Sequence, residues 1–152
     1  MITINEIITS VSESCHPVIL EFHNRAVAAG FVPFASKSSK KDNFGKVEYK
    51  KAKKEDPLYI LHVNGQKWSL RCKLFHLDRY EELLLKFREP VLKAMLASRA
   101  CKGPENGCDV GIEFTADGKE YNLCRHAIHF KDLHEVDVDD VWSLLEAEAR
   151  YR

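Results

Sequence analysis

Two segments of the 152-residue chain follow one plan, and that plan bounds what the chain can fold into. The first is "NGQKWSLRCKLFHLDRYEELLLKF" and the second "DGKEYNLCRHAIHFKDLHEVDVDDVWSLLEAE". Each starts at an Asn/Asp-Gly turn that ends a preceding strand-like run ("LYILHV", "VGIEFT"). Each continues as a strand bearing an aromatic (Trp68, Tyr121), a leucine (Leu70, Leu123) and a cysteine (Cys72, Cys124), then reaches an amphipathic helix. Asn-Gly and Asp-Gly are strong two-residue hairpin signals, because both central positions favour positive φ. The two copies are not gap-free, and hairpin–helix units of unrelated origin also share turn chemistry and aromatic strands.

The remaining elements follow from periodicity. Thr3 to Glu6 has the form of a capping box, and Ile4, Ile7, Ile8 and Val11 recur at helical spacing, which predicts a short helix over 4–13. "PVILEFHNRAVAAG" predicts a second helix with Ile19, Phe22 and Ala26 on one face and a C-cap at Gly30, and "FVPF" leads out of it. The Ser/Lys-rich stretch "ASKSSKKDNFGK" reads as a mobile loop. "KVEYKKA" is a strand, and "LYILHV" is apolar enough to be central. Asp78 is the expected N-cap of a helix striped by Tyr80, Leu83, Leu84 and Phe87; Pro90 begins another; "AIHF" adds a strand; and a capped helix through Val141, Trp142, Leu145 and Ala149 closes the chain.

These elements predict an α+β domain: an antiparallel sheet of five to six strands, helices packed mainly on one face, built on a tandem hairpin–helix repeat. The whole of 1–152 is one domain, with N-terminal helices over 1–36, a first hairpin–helix unit over 45–100 and a second over 108–150. The arrangement resembles duplicated ββα folds, among them the GyrI-like small-molecule-binding domains and the TfoX or YdhG-like domains. In the GyrI-like case the resemblance implies a ligand cleft between the halves. Tyr49, His62, Trp68 and Tyr121 are the candidate lining residues.

"CKGPENGC" and the following "CRHAIH" bring Cys101, Cys108, Cys124 and His126 forward as zinc ligands, since zinc takes four Cys or His ligands, usually as two close pairs. Cys124 and His126 project to the same side of an extended chain, although C-x6-C is longer than a standard knuckle. Two other readings stay open: Cys124 and Cys72 as matching buried strand residues, and Cys101 and Cys108 as a thiol pair or free thiols. The run also resembles the C-terminal part of a group of small uncharacterised bacterial proteins, in which a cysteine-bearing loop precedes an F-x-x-x-G-K-x-Y-x-x-C hairpin, here Phe114, Gly118, Lys119, Tyr121 and Cys124. Members of that group carry further cysteines where this chain has Lys102 to Gly107.

Charge separates along the chain although Lys plus Arg equals Asp plus Glu at 23 each. Eight lysines lie between Lys37 and Lys54, against Asp42 and Glu48, whereas Asp132 to Glu148 carries seven acids and no Lys or Arg. The lysine run admits a nucleic-acid contact, but global neutrality and the lack of arginine in the run weigh against it and favour lysines guarding an edge strand. No apolar run is long enough to span a membrane and the N-terminus has no secretory pattern, so the expectation is a cytoplasmic protein without a membrane partner. Five cysteines, an odd number, argue for reduced thiols rather than a disulfide scaffold. G-x-G-x-x-G, Walker A, G-x-S-x-G, H-E-x-x-H and EF-hand patterns are all missing, which leaves no anchor for the common enzyme classes. The functional expectation is a small-ligand- or partner-binding module without catalysis; the alternatives are a zinc-stabilised module and a nucleic-acid contact through the lysines.

Overall fold

The structure is a computed structural model that describes residues 2–37, 44–106 and 111–152. The middle of the Ser/Lys-rich stretch and the Cys108 end of the 101–108 loop lie outside the described residues. The chain is α+β. Its principal sheet has five antiparallel strands in the order β1-β2-β3-β4-β7: β1 (Val32–Lys37), β2 (Phe44–Lys50), β3 (Tyr59–Asn64), β4 (Lys67–Cys72) and β7 (Ile128–Lys131). The apolar "LYILHV" run is the central strand, as its composition requires. Strands β5 (Ile112–Ala116) and β6 (Lys119–Leu123) form a separate two-stranded sheet.

Period-two alternation divides the main sheet into two unlike faces. Val47 and Tyr49 of β2, Tyr59, Leu61 and Val63 of β3, Trp68, Leu70 and Cys72 of β4, and Ile128 and Phe130 of β7 are opposite one another in register and all buried. Helices α1 (Ile4–Thr9), α2 (His16–Ala28) and α4 (Val138–Arg150) bury their apolar stripes in the same cluster. Tyr49 and Tyr59 stack with centroids 4.4 Å apart, and the Tyr59 hydroxyl donates to the Phe22 carbonyl of α2 at 3.0 Å. Gly45 lets α1 close on β2, since a Cβ there would lie 3.1 Å from Ile7 Cγ1.

Several expectations change in the fold. The second hairpin does not join the main sheet; β7 takes that place beside β4, and β5–β6 instead pairs with residues 99–101 through Ala100 opposite Leu123. Its turn has both residues at positive φ, Asp117 at 51° and Gly118 at 72°, whereas the first hairpin turns at Gly65 and Gln66 with Gly65 alone positive at 61°. Val32, Pro33 and Phe34 of "FVPF" begin β1, where Pro33 is tolerated because the strand is at the edge. The first helix stops at Thr9. "HLDRYEELLLKF" forms two 3-10 segments, Leu77–Arg79 and Glu81–Lys86, rather than one α-helix, and Asp78 does not cap either. Tyr80 interrupts them at φ −135°, with its hydroxyl held by Glu148 Oε1 at 2.8 Å.

Glu148 is the fastening of the C-terminal helix. Its carboxylate is fully buried and accepts from the His76 backbone N–H (2.9 Å), His76 Nδ1 (2.9 Å), the Tyr80 hydroxyl and Arg152 Nε (3.3 Å). A buried carboxylate is stable only when its lone pairs are filled in this way. Helix α3 (Glu89–Leu96) buries Val91 and Met95 and runs along β7, where the His129 backbone N–H donates to Ser98 Oγ at 3.0 Å. That contact occupies a backbone donor of the edge strand.

Glu148→Ala strands the Tyr80 hydroxyl and the His76 donors, and is expected to lower unfolding stability by about 3 kcal/mol in urea titration. A loss of less than about 0.5 kcal/mol, the range of an ordinary surface substitution, would contradict this role.

Candidate anion-binding face

The face of the sheet opposite the helices is set by the complementary phase of the same strands. Lys46, His62, Ser69 and Lys131 form one register row across β2, β3, β4 and β7. Glu48, Ile60, Arg71 and His129 form the next, with Phe34 of β1 beside Glu48. Ile60 alone of the second row is buried; the others are partly exposed. In a chain with no net charge, the cations Lys46, Lys50, Lys67, Arg71 and Lys131 share this face, among the described strand residues, with one carboxylate, Glu48.

Glu48 is already engaged. It accepts from Lys46 Nζ at 2.8 Å and Lys50 Nζ at 2.9 Å, and these hydrogen bonds hold its pKa down to about 2. Lys50 also lies over the Phe34 ring at 5.1 Å. Towards β7 the cations have no such compensation. Arg71 is steered by a hydrogen bond from its Nε to the His126 carbonyl at 2.8 Å. Among the described residues neither Arg71, Arg99 nor Lys131 makes an ion pair.

These three side chains converge on a groove of about 780 Å³ between β7 and the end of α3. Its walls include the small residues Ala94, Ala97 and Ala127, together with Ser98, His129 and Asp132. Arg99 is aimed there because residues 99–101 are held against β6: Cys101 N–H donates to the Asn122 carbonyl at 3.0 Å and Cys124 N–H to the Arg99 carbonyl at 2.8 Å. Ser98 Oγ accepts from β7, which leaves its own O–H to donate elsewhere. Three cations against Asp132 leave the groove net positive.

Burial and the neighbouring cations both lower the pKa of the nearby imidazoles. His62 is depressed to about 4, by burial first and then by Arg71, His129 and Lys46. His129 is lowered by burial, then by Arg71 and Lys131. Both rings are therefore neutral near pH 7.

The residues singled out from the sequence occupy separate places. Tyr49 and Trp68 are in the core under α2, and the space they share with Phe22 and Leu70 admits no solvent-sized molecule. His62 is on the opposite face of the sheet. Tyr121 stacks on Phe114 at 5.6 Å and lines a different groove of about 430 Å³ among Asp78, Glu81, Glu113 and Glu120. The four do not face one cleft.

Of the zinc set, Cys101 bonds to Asn122 and Cys124 to Arg99 in one backbone ladder, and Cys108 lies outside the described residues. Cys124 is not in an extended chain with His126: it opens a turn closed by Ala127 N–H to the Cys124 carbonyl at 3.0 Å. The His126 ring packs edge-on against Phe75, 5.1 Å between centroids. Cys124 is only partly buried, unlike its proposed counterpart Cys72. Among the described residues no three His, Cys, Asp or Glu side chains gather where they could hold a metal ion.

Arg71, Arg99 and Lys131 are not among the sequence candidates. The available signal was the phase of "KWSLRCKL" and "AIHFK" complementary to the apolar one, but that phase marks a solvent face without saying which strands adjoin. No protein-family model, curated protein or solved structure matches the chain.

Because the folded pKa of His62 lies below its ordinary value of 6.5, the unfolded chain binds more protons between pH 6.5 and about 4. Stability contributed by the neutral ring is present above pH 6.5 and is lost as pH falls through this window. His62→Asn is expected to flatten the pH dependence of the urea midpoint there; an unchanged slope would contradict the shift.

Proposed function

We propose that the chain is a non-catalytic binding module for anionic ligands, with the groove between β7 and α3 as the principal site. One observation carries the reading: Arg71, Arg99 and Lys131, from three separate segments, converge on one groove with no ion-pair partner among the described residues. Like charges gathered in a concave surface repel one another, and a bound anion relieves that repulsion. The guanidinium of Arg71 is oriented through Nε, so its terminal nitrogens are pre-positioned for a planar or tetrahedral oxyanion. Groove volume is in the range of small-molecule sites.

Pyrophosphate added to isotopically labelled protein is expected to shift the backbone amides of Arg71, Ser98, Arg99, His129 and Lys131 together. Arg71→Gln and Arg99→Gln should each weaken binding about tenfold or more, the effect of deleting one charged hydrogen bond. Shifts confined to the Lys51–Lys54 turn, or affinity unaffected by both substitutions, would reject the groove.

A further inference from the structure

We infer that the ligand class of this face is single-stranded nucleic acid, with the phosphate chain entering the groove at Arg71, Arg99 and Lys131 and the bases lying on the adjoining sheet. The inference rests on the anion-binding reading above and specifies its ligand. The groove is not an enclosed pocket: Arg99, Lys131 and Asp132 on its walls are exposed, and it opens onto the register rows that cross the sheet. A discrete small ligand is ordinarily buried over most of its surface, whereas a polymer needs a track open at its ends.

The track is present. From Lys131 through Ser69 and His62 to Lys46 the row crosses three strand spacings, about 14 Å at 4.7–4.9 Å each, with Lys131 at one end and Lys46, bonded to Glu48, at the other. His62 lies between those cations and His129 beside Lys131 on β7, both partly exposed, and an imidazole ring is a surface on which bases stack without sequence preference. The lysines of "FGKVEYK" thus enter through Lys46 at the far end of the face, while the arginines missing from the lysine run come from β4 and from the segment after α3. A duplex fits the surface less well. The face is a sheet bearing side chains of ordinary length, without a helix or ribbon to enter a groove, and paired bases leave the imidazoles nothing to stack on.

The test is fluorescence anisotropy with labelled oligo(U) and oligo(dT) of about twelve nucleotides, a length within the known range of single-strand sites, and a duplex of equal length. Single strands should bind more tightly than the duplex, with affinity falling steeply with salt. In the variant R99Q/K131Q the slope of log K against log salt should flatten by about 1.4, at about 0.7 per cation removed. Neither side chain makes a hydrogen bond among the described residues, so this variant leaves the fold intact. H129A should weaken binding about tenfold with the slope unchanged, the signature of a lost stacking surface. Equal or tighter duplex binding, or an unaltered slope in R99Q/K131Q, would overturn the inference. Binding of pyrophosphate at the groove without binding of either oligonucleotide would overturn it while leaving the anion-binding reading in place; binding of neither would overturn both.

Discussion

The register of β4 against its two neighbours is the constraint from which both the core and the charged face follow. Trp68, Leu70 and Cys72 must point under the helices, opposite Val63, Leu61 and Tyr59 on one side and, for Leu70 and Cys72, opposite Phe130 and Ile128 on the other. Ser69 and Arg71 then have no choice but the other face. A slip of one residue would bury Arg71 and expose Leu70, at a cost of several kcal/mol for the unpaired guanidinium alone. Arg71 therefore needs no dedicated scaffold: the hydrophobic core sets its direction as firmly as it sets that of Leu70.

The strand that completes the face comes from far along the chain. After β4 the backbone passes through the two 3-10 segments, α3 and the β5–β6 hairpin before returning as β7. Two of the polar fastenings that hold this excursion matter most for the groove. Glu148 ties α4 to His76 and Tyr80 at its start, and Ser98 and the 99–101 ladder tie α3 to β7 and β6 at its end. The second fastening brings Arg99 to the groove. The small sheet is thus a positioning device as well as a packing unit, and "CKGPENGC" begins in the segment that it holds: Cys101 contributes through its backbone N–H.

Much of this architecture was legible because burial writes itself into local pattern. The alternation of Val47 and Tyr49 and of Trp68, Leu70 and Cys72, the stripe of Ile19, Phe22 and Ala26, and the Asp117-Gly118 turn each report a local requirement. What could not be read was decided by distant partners. The pairing of β7 with β4 leaves no mark in either strand. The α-helical stripe through Tyr80 and Leu84 was real as burial, yet Tyr80 takes a non-helical conformation with its hydroxyl on Glu148, 68 residues away. Pro33 suppressed a strand signal that an edge position allows. The aromatic candidates misled for a related reason: Tyr49 and Trp68 are large side chains on the buried phase, where size serves packing, while the residues with unspent charge are on the other phase, which composition alone describes only as polar.

A crystal of the protein soaked in tungstate would show where the face takes an anion, because an oxyanion of a heavy atom reports its own position by anomalous scattering. A peak is expected within hydrogen-bonding distance of Arg71, Arg99 and Lys131 in the groove between β7 and α3. An empty groove with tungstate bound instead along the lysines at 51–54 would contradict it.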